Sequence, residues 1–252
     1  MRKVFAIAAL AALSAPAFAD TTTTTDTDGW KGQGELGYAA AHGNADNESL
    51  VADLGLANVS GNWTNKFGAD YLYSKSTDED TGIESVSAKR YDVFATSGYH
   101  FTDHSYFFGS GRNERDQSSS YTYQWTAAIG YGIDAIKNDR THLTFEIGPG
   151  YRWSELRATD LTPSKKEDEV IARGWADFGQ KLTDSTSIVD TLLVESGSDN
   201  TYLQNDLGLQ VQMSHALALK VGFEWRHNSY VLPGIDPNDT LTTANLVYNF
   251  GG

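Results

Sequence analysis

Side chains able to do covalent chemistry are sparse in this 252-residue chain, and none of them is cysteine. That removes disulfide scaffolds, thiolate zinc clusters and thiol nucleophiles together. The nearest approach to a catalytic pair is His227-Asn228-Ser229, a hydroxyl two residues from an imidazole. Acyl transfer needs such a nucleophile beside its base, with a third group to orient the base. No supporting Glu is identifiable, so the triplet reads as polar residues at a strand–loop junction. His42-Gly43-Asn44 reads likewise as a loop entry. Two acidic segments, Thr77-Asp78-Glu79-Asp80-Thr81 and the stretch with Asp236 and Asp239, offer the oxygen ligands that hard cations prefer. They lack the Asp-x-Asp-x-Asp-Gly spacing of a calcium loop, so solvated carboxylates are expected. Lys165-Lys166 beside Glu167-Asp168-Glu169 cancels locally. No motif calls for a catalytic residue, a cofactor or a metal.

More informative are charges of both signs set singly at alternate positions among glycines: Glu35, Lys66, Asp70, Arg90, Glu146, Arg152, Arg173, Asp177, Lys220, Glu224 and Arg226. The elements that carry them have a period of two, which is that of a strand. In Ala216 to Asn228, Leu217, Leu219, Val221, Phe223 and Trp225 point one way, and Ala218, Lys220, Gly222, Glu224 and Arg226 the other. In His142 to Ser154, Leu143, Phe145, Ile147, Pro149, Tyr151 and Trp153 oppose Thr144, Glu146, Gly148, Gly150 and Arg152. Tyr121 to Asp134 sets Tyr121, Tyr123, Trp125, Ala127, Ile129, Tyr131 and Ile133 against Thr122, Gln124, Thr126, Ala128, Gly130 and Asp134. Leu203 to Met213 and the closing Asn245 to Phe250 repeat the pattern. About twelve such runs are expected, near 30–42, 48–59, 63–75, 85–101, 105–113, 120–136, 141–155, 168–182, 186–196, 201–213, 216–228 and 240–250. Short turns between neighbours imply antiparallel pairing.

The N-terminus stands apart. Arg2 and Lys3 precede an apolar run from Val4 to Leu13, and Ala17-Phe18-Ala19 is a small-x-small pattern. Residues 1–19 therefore read as a signal peptide, residues 20–29 as a flexible Thr/Asp-rich leader, and 30–252 as the folded unit. An exported chain with 33 acidic against 19 basic residues is not expected to bind nucleic acid, which requires a basic stripe. A mean hydropathy of −0.42 excludes a polytopic helical membrane protein.

Which face meets what then decides the class. A soluble barrel buries its apolar face and wets the polar one. Here the apolar faces carry Tyr and Trp toward the strand ends with Leu, Val, Ala and Ile between, which matches a lipid-facing band between aromatic girdles around a polar interior. Most runs also reach ten residues, enough to cross a bilayer at a tilt. Connections alternate in length, as short periplasmic turns and longer external loops do. The short ones are Ser60 to Asn62, Thr102 to His104, Lys137 to Arg140, Thr183 to Ser185 and Ser214-His215. Longer ones fall at Ser76 to Glu84, Glu114 to Ser119, Leu156 to Glu167 and Ser229 to Asp239, while the other two on that side, Gly43 to Asn47 and Gly197 to Asn200, are brief but still loop-like. The expected fold is all-β, a transmembrane antiparallel up-and-down β-barrel of about twelve strands in the outer membrane. A periplasmic lipocalin-like binding barrel is the alternative.

The opening Trp30-Lys31-Gly32 with Leu36-Gly37 and Gly43-Asn44-Ala45-Asp46-Asn47 resembles the first hairpin of a domain-of-unknown-function family, the salt-induced, YdiY-like outer-membrane proteins. Trp225-Arg226-His227-Asn228, Pro233-Gly234, Asp239-Thr240 and Leu246-Val247-Tyr248-Asn249-Phe250 resemble its last hairpin. The resemblance implies an outer-membrane barrel and no particular chemistry. The chain's end is also similar to the outer-membrane assembly signal, although Gly251 and Gly252 follow the closing aromatic. His227-Asn228-Ser229 is similar to the His-x-Ser-Asn of lipid A deacylases with Asn and Ser exchanged.

The functional expectation is a small channel or an envelope-stress and structural barrel, not an enzyme. The alternating charges line its lumen, mostly paired across it, with Glu224 an expected partner of Lys220. A lipid-modifying hydrolase at the rim near His227 and Ser229 is the alternative from another class. Expected partners are outer-membrane lipids and lipopolysaccharide, the outer-membrane assembly machinery, and small ions or solutes.

Overall fold

The computed structural model describes residues 28–41, 45–78, 83–159 and 163–251. The proposed signal peptide, most of the leader, His42-Gly43-Asn44 and the centre of the acidic segment at 77–81 lie outside them.

Twelve strands account for nearly all of the described chain: β1 (Gly29–Ala41), β2 (Ala45–Ser60), β3 (Trp63–Asp78), β4 (Glu84–His100), β5 (Ser105–Asp116), β6 (Tyr121–Lys137), β7 (Thr141–Leu156), β8 (Lys165–Lys181), β9 (Thr186–Ser196), β10 (Thr201–Gln212), β11 (Leu217–Asn228) and β12 (Asn238–Phe250). Each pairs antiparallel with its sequence neighbours, and β1 pairs with β12 to close the barrel. The all-β transmembrane barrel expected from the alternation is the fold. Closure matters because a lipid-exposed strand edge would leave backbone amides without partners. At the seam Phe250 sits opposite Gly32, and its ring covers the space a side chain there would need.

Five connections form one end, here the turn end; the tightest is Gly61-Asn62, where Gly61 takes a positive φ of 56°. The opposite, loop end carries the others. Strands run further toward that end than the periodicity suggested: β3 extends to Asp78, β4 starts at Glu84, β5 reaches Asp116 and β8 starts at Lys165. The length difference between the two ends therefore rests mainly on two connections, 157–164 and 229–237.

Outside, Leu36, Leu54, Val93, Ile129, Ile147, Val221 and Leu246 form an exposed apolar band. Aromatics flank it at the turn end, with Trp30 stacked on Phe67, Trp63 against Tyr99 and Phe101 against Phe107. Tyr151 packs on Trp153 at the loop end. Polar pairs interrupt this outer face, among them Asn205 donating to Asp190 and Ser97 to Asn65, both at 2.7 Å.

Inside, two expectations need correction. Tyr121 does not share the outer face with Tyr123 and Trp125: a register shift between Tyr121 and Tyr123 reverses the alternation, and Tyr121 is buried. Nor is the interior simply polar. Val51, Leu72 and Leu241 form one inward apolar cluster, and Tyr106, Phe108 and Ala128 another. A barrel of this size is narrow enough for facing walls to fill much of its own lumen. Large side chains and their paired charges pack there as in a core.

Candidate functional site

All eleven charges singled out by alternation point into the lumen. Ten are buried, and Lys66 is half-buried with its ammonium 5.3 Å from the Trp175 ring centre. They are arranged in tiers.

Nearest the loop end, Arg152 of β7 pairs with Glu169 of β8 at 2.5 Å and also donates to the Asn200 carbonyl. Glu169 in turn accepts from the Asp199 amide at 2.7 Å, so this tier ties down the β9–β10 connection. Above it the 229–237 connection reaches over the mouth. Leu232 is buried between Tyr121 and Leu156, and its amide donates to Ser120 Oγ at 2.8 Å. β11–β12 and β6–β7 lie on opposite sides of the twelve-strand order, so the segment crosses the opening.

Below lies a tier of three arginines. Arg90 of β4 reaches Glu224 of β11 at 2.9 Å, bridging opposite walls. Arg226 holds both Glu224 at 2.9 Å and Glu114 at 3.0 Å. Arg112 pairs with Asp92 at 2.7 Å, contacts Glu114, and lies over the Tyr202 ring at 4.7 Å. Lys220 does not reach Glu224. It pairs with Glu35 at 2.9 and 3.2 Å, and Gln33 and Asn245 donate to the same carboxylate. Register explains the difference: β1 lies two strands from β11 around the seam, and Glu224 is already committed to two arginines. Toward the turn end, Arg173 pairs with Glu146 at 2.7 Å, Tyr106 donates to Glu146 at 2.9 Å, and His142 lies 3.6 Å from Asp177.

Sequence reasoning missed Asp53, Asp92, Arg112, Glu114, Glu195, Tyr202 and Asp206, all part of this lining. The same alternation in β2, β4, β5, β9 and β10 carried the signal.

Space is distributed unevenly. A cavity of about 390 Å³ opens at the turn end, with Lys31, His100, Asp134, Arg140 and Gln180 in its wall. A second of about 100 Å³ lies deeper, walled by Asp70, Phe94, Trp175, Gln204 and Asp206. Lys66, Thr96, Glu146 and Asp177 line both. The deeper cavity ends against Arg112 and Arg226.

At the loop-end rim, His227 Nδ1 lies 3.0 Å from Asn238 Oδ1, while Ser229 Oγ accepts from the Thr201 amide at 2.7 Å and donates to Asn200 at 3.3 Å. Imidazole and hydroxyl are thus held by different strands and are not arranged as a base and its nucleophile. Asp236 Oδ1 accepts from the Asn238 amide at 2.8 Å, which caps the turn. No cluster of three or more His, Asp or Glu able to hold a metal occurs among the described residues.

A protein family described only as a protein of unknown function, DUF481, matches residues 34–250. No curated protein sequence matches the chain. Among solved structures, the translocator domain of the autotransporter NalP from Neisseria meningitidis is similar over 91% of this chain and 90% of that one, at 13% identity and a TM-score of 0.50. That likeness concerns the fold. An outer membrane channel from Pseudomonas putida F1 aligns over 92% and 97% of the two chains, at 10% identity and a TM-score of 0.48. The NanC porin aligns over 87% and 97%, at 10% identity and 0.46.

Proposed function

The chain belongs to this DUF481 family, and from that footing we propose that it is an outer-membrane channel of small bore for ions or small solutes. One observation carries the reading: the charged cavity that opens at the turn end continues through a shared wall into the centre of the lumen. A barrel serving only as a scaffold has no need of a polar vestibule leading to its middle. In this proposal the turn end is periplasmic, residues 1–19 direct export, and the apolar band meets membrane lipid with lipopolysaccharide at the outer rim. The assembly machinery of the outer membrane inserts it. His227 and Ser229 have no catalytic role in this account, since each is spent on holding the rim. The arginine tier and the 229–237 segment are the barrier to flow, and ion passage requires them to shift.

A second reading, a structural barrel with a sealed lumen, is favoured by the Arg90–Glu224 pair, which spans the lumen from wall to wall. Planar-bilayer recording separates the two. Refolded protein starting at Asp20 is expected to give small stepwise currents, and replacing 229–237 by a two-residue Asn-Gly turn should enlarge them or make them more frequent. Silence from both proteins would overturn the channel and leave the structural barrel.

A further inference from the structure

Five inward carboxylates stand directly opposite one another across five adjacent strands. Glu35 of β1 faces Asp53 of β2, Asp53 faces Asp70 of β3, Asp70 faces Asp92 of β4, and Asp92 faces Glu114 of β5. Facing pairs of this kind place Cβ atoms about 4.5–5.5 Å apart, and like charges so placed repel. The ends of this ladder are neutralised: Glu35 by Lys220, and Asp92 and Glu114 by Arg112 and Arg226. Its centre is not. Both oxygens of Asp53 and Oδ1 of Asp70 have no protein hydrogen-bond partner, although the two residues are only 4% and 5% exposed. From the facing wall comes Asp206, also buried, whose Oδ1 is unpartnered while Oδ2 accepts from Gln204 at 2.9 Å.

The surroundings make these carboxylates a site. One step toward the loop end, Val51 and Leu72 face each other and cluster with Leu241, an apolar layer that separates the acids from that mouth. One step toward the turn end the opposed pair is Gly55 and Gly68. The Phe94 ring fills the space beside Gly68, and the 100 Å³ cavity that it helps to wall reaches Asp70 and Asp206. An uncompensated buried carboxylate costs several kcal/mol. The nearest cations, Lys220, Arg112 and Arg226, are each held by another carboxylate.

We propose that Asp53 and Asp70 bind a divalent cation that keeps part of its water shell, with Asp206 facing it across the lumen. Two charges on the ion balance the two central carboxylates. The described residues offer no cluster of three ligands that would strip an ion bare. Magnesium-like ions dehydrate reluctantly and are bound through one or two carboxylates with several waters retained. The inference names the ion class for the lumen read above as a channel. It rests on that reading only for access, because binding is measured without any current.

The test uses the refolded mature barrel in detergent, freed of divalent ions with a chelator. Its unfolding temperature is followed as magnesium chloride is added at constant ionic strength balanced with choline chloride. Wild type should rise and then saturate, as expected when an ion binds only the folded state. The doubly substituted Asp53→Asn/Asp70→Asn should not respond, and without magnesium it should unfold above wild type because the repulsion is gone. A flat wild-type curve, an undiminished response in the double variant, or an equal rise with sodium at the same ionic strength would each overturn the proposal. Should the double variant fail to assemble, calorimetric titration of Asp53→Asn replaces it. There about tenfold weaker magnesium binding is expected from the lost ligand charge, and unchanged binding would refute the site. Magnesium binding in a barrel silent in bilayers would sink the channel and leave the site standing.

Discussion

Replacing Lys220 by Met tests whether the lumen charges act as a packed core or as a wet channel lining. Lys220 is 2% exposed and lies 2.9 and 3.2 Å from the two oxygens of Glu35. Met fills nearly the same space, so the change removes a charge with little cavity. Removing one member of a buried pair costs about 3–5 kcal/mol, because the survivor is left charged without compensation. Gln33 and Asn245 still donate to Glu35, at 2.7 and 2.9 Å, which places the expectation near 3 kcal/mol. Against a typical stability of about 5–15 kcal/mol, that is a large loss. Glu35→Gln should cost less, because the freed ammonium still has the unpaired Asp53 beside it, the residue directly opposite Glu35. The double substitution Lys220→Met/Glu35→Gln should recover most of the loss, since replacing both partners of a buried pair is often close to neutral. Urea unfolding in micelles, read by tryptophan fluorescence and by the gel shift between folded and boiled protein, gives all three values. A Lys220→Met cost below about 0.5 kcal/mol would mean that water solvates Glu35 freely. A double variant that loses the sum of the single costs would refute the coupling itself.

Two further outcomes follow from the two faces of the wall. Val221 is 57% exposed on the outer band, one residue from Lys220, so Val221→Arg should cost about 2–4 kcal/mol and reduce assembled barrel; in membranes, the thiol of Val221→Cys should react with a lipid-confined reagent and resist a water-soluble one, and the reverse pattern would turn the barrel inside out. Gly130 and Gly148 face each other where β6 and β7 approach so closely that a methyl group on Gly148 meets the Ile129 carbonyl and the Gly130 backbone, whereas one on Gly174 meets nothing within 4 Å; Gly148→Ala should therefore lose about 1–3 kcal/mol and Gly174→Ala almost nothing, as urea midpoints of the two variants would show.

Much of this barrel is written in the chain locally. A side-chain period of two is imposed by strand geometry itself, so Leu219, Val221 and Phe223 had to share one face and Lys220, Gly222 and Glu224 the other. Tyr and Trp toward the ends of the apolar faces then told which face meets lipid. These readings needed only neighbours in sequence. They failed where a bulge inserted one residue, because a register shift at Tyr121 moves a side chain to the other face without any change in composition. Pairing across the lumen was beyond their reach. Arg90 and Glu224 are 134 residues apart and meet because the barrel closes. Lys220 and Glu224 lie four residues apart on one wall, yet Lys220 bonds Glu35 across the seam. The carboxylate ladder is likewise a product of register: Glu35, Asp53, Asp70, Asp92 and Glu114 are scattered in sequence, and the stagger of five strands alone sets them in a row. Alternation fixes direction along each strand, while closure and register fix which charges meet, and the energies of a narrow lumen depend on the latter.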